Sequence, residues 1–309
     1  VTKLGPTGET GVELEEAYAL TTSLPGSLQL RGGQFFADFG RQNQLHPHAW
    51  AFVDQPLALN RMFGPEGFRS QGVRIAWLAP TQWYTEATLT VLNSVGGTTS
   101  SFRSDESSEI HGGAPVTRVV KGLNDLLLVP RIATSFDLTD TQTLLIGVSG
   151  AFGPNNSGSD ARTQLYGADL YWKWKSATAR AGFPFLSWQS EALFRGYDAA
   201  ERVSAENPSV TLPGERLSDR GVYSQLLWGV KPRLVLGARG DYVSGSAATF
   251  ESPLRAERLR LSPNVTWYPS EFSKLRLQYN YDHRQGLGTD HSLWLQFEFI
   301  MGAHAAHRF

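Results

Sequence analysis

Two consecutive segments near the end of the chain alternate with a period of two. Leu259, Leu261, Val265 and Trp267 share one parity, and Arg258, Arg260, Asn264 and Thr266 the other. The next segment repeats the pattern with Leu275, Leu277, Tyr279 and Tyr281 against Arg276, Gln278, Asn280 and Asp282. A period of two belongs to a strand whose two faces differ in character. Earlier, Leu170, Trp172 and Trp174 oppose Asp169, Tyr171 and Lys173, and the final segment sets Leu293, Leu295, Phe297 and Phe299 against Gln296 and Glu298. A charge facing lipid at mid-depth costs roughly 2–4 kcal/mol. If the apolar parity faces lipid, the polar parity must therefore line an aqueous or protein-filled interior.

Composition separates the membrane classes. No run approaches the 18 or so apolar residues of a spanning helix, and mean hydropathy is −0.27, which excludes helical membrane proteins. Charged residues make up 18%, below the roughly 25% of soluble domains, while aromatics reach 12%. A transmembrane β-barrel accounts for both, because only alternate residues of each strand are greasy. The net charge of −1 offers no basic footprint for nucleic acid. Absence of cysteine removes disulfides, thiolate metal sites and Cys nucleophiles together. The opening VTKLGPTGETG has no secretory leader, so a mature or shortened form is expected.

Thirteen strands are read, at 11–24, 26–38, 70–79, 83–93, 126–138, 141–152, 163–175, 183–196, 220–230, 233–243, 254–268, 272–284 and 291–301. Tight joins such as Leu24-Pro25-Gly26, Thr139-Asp140 and Lys231-Pro232 alternate with long polar stretches at 39–69, 94–125, 153–162, 197–219, 244–253 and 285–290. In outer-membrane barrels the short turns are periplasmic and the long loops extracellular, and strand numbers are even. The expectation is an all-β, antiparallel transmembrane β-barrel spanning 1–309 as one domain, with 14 to 16 strands when complete and N-terminal strands lacking here. A soluble β-sandwich or propeller is the competing architecture, and the aromatic load on one parity counts against it.

The polar parity places Arg31, Arg74, Arg131, Lys173, Arg195, Arg239, Arg258, Arg260 and Arg276 inside, with Glu13, Glu15, Glu86, Asp137, Asp169, Glu191, Asp241 and Glu298. Such mixed charges either pair across strands and pack the interior, or set a transverse field across a water-filled pore. The loop 39–69 carries Trp50, Phe52, Met62 and Phe63, more apolar surface than an exposed loop usually holds. It is expected to fold inward as a constriction that includes His46, His48, Trp50 and Asp54. His46 and His48 flank Pro47 and are suitable zinc ligands, although hydrogen bonding to loop backbone is the commoner use. No cofactor is assigned beyond that option. No Gly-x-Ser-x-Gly elbow, phosphate loop or His-Glu-x-x-His occurs, so no enzymatic activity is read. A barrel phospholipase or protease, its residues scattered over strands, is the enzymatic alternative.

The stretches GVELEEAYALTTSLPGSLQLRGGQFFADFGRQNQLHPHAWAFVDQPL, LYGADLYWKW, YPSEFSKLRLQY and GAHAAHRF resemble a family of proteobacterial porin-like outer-membrane proteins, often labelled zinc-regulated or TonB-dependent receptors, and distantly the phosphate-selective porins. The resemblance implies a Gram-negative outer-membrane barrel of sixteen strands when complete. It also implies further strands before the EEAY segment and a terminal Phe309 acting as the aromatic assembly signal. A TonB-dependent receptor needs an N-terminal plug and a larger barrel, and neither is visible here. The functional expectation is a porin or channel passing small polar or charged solutes. Its expected partners are outer-membrane lipid, lipopolysaccharide and the barrel assembly machinery. A zinc-linked uptake protein, a structural barrel docking a partner protein, and a homo-oligomer are left open.

Overall fold

The computed structural model describes residues 2–4, 10–12, 14–104, 108–116, 122–246, 248–249, 252 and 255–300. Thirteen strands form one sheet: β1 Ala17–Leu20, β2 Leu28–Phe36, β3 Arg69–Leu78, β4 Tyr84–Asn93, β5 Leu126–Thr139, β6 Gln142–Pro154, β7 Arg162–Arg180, β8 Phe183–Ala199, β9 Glu215–Lys231, β10 Leu234–Gly245, β11 Arg258–Ser270, β12 Ser273–Arg284 and β13 Gly288–Phe299. Each pairs antiparallel with its neighbour in sequence. The fold is all-β and barrel-like. Each of the thirteen expected strands meets one of these, and the short and long connections fall at opposite ends of the sheet as the sequence suggested.

Burial confirms the alternation and reverses what a protein folded in water shows. On β11, Leu261, Val265 and Trp267 are 49%, 43% and 50% exposed, while Ser262, Asn264 and Thr266 between them are 1%, 5% and 2% exposed. The cross-strand register carries the pattern on: Val265 faces Leu277 and Asn264 faces Gln278 across β11–β12. Leu277 in turn faces Leu295 across β12–β13. Each pleat thus adds its apolar member to one continuous outer face.

The first strand is shorter than its expected span of 11–24. Residues 10–12 pair instead with 2–4 in a separate two-stranded sheet. Between that pair and β1, Glu15 and Glu16 turn toward a loop histidine rather than extending the ladder. The count of thirteen is odd, so β1 and β13 run in the same direction and an antiparallel join between them is ruled out. Among the described residues β13 pairs with β12 alone. In this sheet it is an edge.

Candidate functional site

The connection between β2 and β3 enters the concave side of the sheet. It contains one α-helix, α1 (Leu57–Phe63), begun after Pro56 and ended at Gly64, whose φ of 78° suits glycine. Leu57, Ala58, Leu59, Met62 and Phe63 are all buried. With Phe39, Phe68 and Phe102 they form a core against Leu127, Val129, Leu165, Leu193 and Val243 on the sheet's inner face. Gly221 on β9 makes the fit possible, since a Cβ there would lie 2.7 Å from that of Ala58. Burying apolar surface contributes about 25 cal/mol per Å², enough to hold the connection inside as a plug.

Below this core the plug is fixed by polar groups from strands spread across the sheet, so the sheet wraps around it. The buried carboxylate of Glu191 on β8 accepts the backbone N–H groups of Arg41 at 3.1 Å and Gln42 at 2.7 Å, and the Tyr223 hydroxyl at 2.7 Å. Gly40 allows that approach, having a φ of 61° and no Cβ, which would otherwise sit 2.1 Å from Glu191 Oε2. On the facing wall Asp54 pairs with Arg239 at 2.8 Å and Arg260 at 2.5 Å, and accepts from Gln278 at 2.8 Å. Burial pushes the Asp54 carboxyl up, but Arg239 and Arg260 outweigh it and hold the group below the usual carboxylate range. Asp241 takes the Leu57 N–H at 3.0 Å, Arg276 reaches the Trp50 carbonyl at 2.9 Å, and Lys274 reaches that of His48 at 2.5 Å. Arg74 closes the ring through Asp38, with Glu86 at 3.2 Å.

His46 lies between two carboxylates, Nε2 at 2.8 Å from Glu16 and Nδ1 at 3.2 Å from Glu15. The hydrogen bond to Glu16 raises the imidazole above its ordinary value, against burial, and the same bond lowers Glu16. The His48 ring stacks on that of His46, with centroids 5.5 Å apart and planes 15° from parallel. Ring-nitrogen lone pairs lie in the ring planes, so two stacked imidazoles direct them along parallel planes rather than toward one ion. Among the described residues no group of three or more His, Asp or Glu side chains is arranged to hold a metal.

The other expected interior residues fall mostly into cross-strand pairs. Arg131 pairs with Asp169, Nη2 to Oδ2 at 2.9 Å, and donates to Ser149 at 2.8 Å. Arg195 pairs with Asp219 at 2.7 Å, Arg258 and Arg260 share Asp282, and Lys274 meets Glu298 at 2.9 Å. Arg31 and Lys173 have aromatic partners instead, Arg31 over Tyr18 at 4.7 Å and Lys173 over Phe185 at 5.6 Å. Asp137 lies exposed at the short-turn rim, where the last residues of β5 leave the interior and Thr143 donates to its carboxylate at 3.1 Å. Glu13 and Phe309 lie outside the described residues.

The pattern of residues placed Gln278 on the polar parity but did not single out Asp38, Gly40, Asp219, Tyr223 or Lys274. Lys274 shares the polar parity of Arg276 and Gln278, which is a usable signal, whereas nothing local distinguishes Gly40.

Space remains beside the plug. A cavity of about 540 Å³ runs between Pro65–Glu66 and the inner ends of β3 and β4, lined by Arg69, Gln71 and Asn93. A second of about 320 Å³ continues from Glu66 and Arg69 past Asn43 to Trp50 and Glu15. Pro65, Glu66 and Arg69 line both.

No protein-family model matches the chain. A protein of Aquifex aeolicus strain VF5, described as an uncharacterized protein, is 31% identical to it over 331 residues, a match that takes in 98% of this chain and 65% of that protein's length. Among solved structures the chain is similar to the Pseudomonas putida toluene transporter TodX, with a TM-score of 0.30 and 10% identity over 76% of each chain. A likeness of that size carries nothing about the plug or the solute.

Proposed function

We propose that this chain forms a β-barrel in the outer membrane of a Gram-negative bacterium and passes small polar or charged solutes between its plug and its wall. The observation that carries this reading is the reversed burial of the strands combined with the space left beside a plug held by charge, where the larger of the two cavities is lined mainly by polar groups. An outer surface bearing Trp77, Ile75, Val148, Leu261, Trp267 and Leu277, each between 45% and 58% exposed, is tolerable in lipid and far beyond what water-exposed surfaces usually carry. Among the described residues no helix is long and apolar enough to cross a membrane; in this reading the strands cross it, and away from the two edges of the sheet their backbone groups are satisfied by their neighbours. Outer-membrane lipid, lipopolysaccharide and the assembly machinery are the partners this reading entails.

The test is swelling of liposomes containing the full chain, exposed to sugars and amino acids of graded size. Swelling by the smallest solutes, falling off as size increases, is expected. Absence of swelling with every solute, in liposomes where the protein is folded, would remove the channel reading.

A further inference from the structure

A third cavity, of about 160 Å³, lies at the long-loop end between α1 and the ends of β8, β11 and β12. Five arginines line it: Arg61, Arg195, Arg255, Arg258 and Arg284. No Asp or Glu lines it among the described residues. The carboxylates nearest to these guanidiniums stand behind them and are shared. Asp219 serves both Arg195 at 2.7 Å and Arg255 at 3.2 Å. Asp282 serves Arg258 at 2.5 Å and Arg260 at 2.6 Å.

Two of the five, Arg61 and Arg284, make no ion pair among the described residues and feel only the carboxylates shared by the others. Arg61 donates to the backbone carbonyls of Arg255 at 3.1 Å and Ala256 at 2.6 Å. The Arg284 side chain makes no hydrogen bond or ion pair among the described residues; its backbone carbonyl accepts from the Leu287 N–H at 3.1 Å. Burial pushes Arg61 down to about 10, Arg195, Arg255 and Arg258 add to that push, and Asp219 opposes it. Arg195 and Arg255 are buried and the other three half-buried; cations gathered with so little water are costly unless an anion meets them, and a guanidinium fork matches two oxygens of a carboxylate or sulfate.

We propose that this cavity binds a small oxyanion bearing two or more negative charges, bridging Arg61 on the plug to Arg284 and its neighbours on the wall. Asn60, which also lines the cavity, adds a neutral donor. The occupant is small, since the space holds one such ion and a few waters. That oxyanions are also the transported solute rests on the channel reading; binding itself does not.

The test is calorimetric titration of the full chain in detergent with sodium sulfate and with sodium succinate, at constant ionic strength maintained by chloride. Saturable binding of both dianions is expected, with no saturable response to chloride. Arg284→Gln should weaken binding by about tenfold, the effect of losing one charge-assisted hydrogen bond, while Arg284→Lys, which keeps the charge but loses the fork, should weaken it less. Arg180→Gln removes the same charge at the short-turn end and should change nothing. Heat-modifiable migration verifies that each variant is folded. Heats that never saturate, or equal weakening by Arg180→Gln, would overturn the site. Dianion binding in detergent without liposome swelling would retain the site and remove the channel; swelling without saturable binding would do the reverse.

Discussion

Asp54 on the plug and Arg239 on β10, 185 residues apart in sequence, meet at 2.8 Å, and the same guanidinium holds Asp241 at 2.7 Å. Asp241 in turn takes the Leu57 N–H at 3.0 Å. One arginine thus fixes the plug on both sides of Pro56, directly through Asp54 and indirectly through the first residue of α1. Asp54→Ala should therefore loosen the plug. Breaking a buried pair costs about 3–5 kcal/mol, and since Asp54 keeps a quarter of its side chain exposed the lower end, about 3 kcal/mol, is expected. Limited proteolysis between residues 44 and 56 in the folded barrel measures it, with cleavage strongly accelerated over the parent chain.

Gly40→Ala places a Cβ against Glu191 and forces an alanine into a φ of 61°. Both effects act on the one carboxylate that receives the Arg41 and Gln42 N–H groups. A loss of about 2 kcal/mol or more is expected, read as a lower urea midpoint in lipid vesicles. A midpoint equal to the parent's would mean that Glu191 is not held where the structure has it.

The His46 contact should vary with pH in a bounded way. His46 is raised and Glu16 lowered relative to their ordinary values of 6.5 and 4.5. The histidine's contribution is complete below 6.5 and is lost as pH rises through its raised value. The glutamate's contribution is complete above 4.5 and is lost as pH falls through its lowered value. The contact is therefore strongest between those ordinary values and weakens on both sides. Protease cleavage near 46–50 followed over pH should show a minimum there, and His46→Gln should flatten the profile.

The outward parity can be tested with one charge. Leu277, in the middle of β12 and 48% exposed, lies between Val265 and Leu295. Leu277→Arg should lower stability in bilayers by roughly 2–4 kcal/mol, whereas Leu277→Phe should leave it nearly unchanged. Equal effects of the two would argue that this face does not meet lipid.

Strand number and facing were legible because the sheet is built by neighbour pairing, and each strand carries its own two-faced pattern. Arg276, Gln278 and Leu277 could be assigned without any partner in view. What failed is non-local. The inner face near the long loops is apolar, with Leu127 and Val129 buried beside the exposed Leu128, because α1 packs there. A continuous run of leucines cannot reveal which neighbour covers it. Asp219 was read as loop because β9 begins at Glu215 and β8 reaches Ala199, both beyond the alternation that marked them. That the 39–69 segment turns inward was readable from Trp50, Phe52, Met62 and Phe63. That it is pinned by Glu191 on one wall and Asp54 on the other depends on contacts across more than a hundred residues, which no local spacing encodes.

Single-channel conductance of the full chain, compared with a variant in which residues 45–55 are replaced by a Gly-Ser segment of equal length, tests the central claim most directly. The replacement removes Asp54 and the Trp50 and His48 carbonyl contacts, while keeping Gly40, the Glu191 anchor and α1. The parent should open small, steady channels, and the variant channels several times larger and noisier, with both folded to the same extent. Equal conductance in the two would contradict the claim that this plug governs passage.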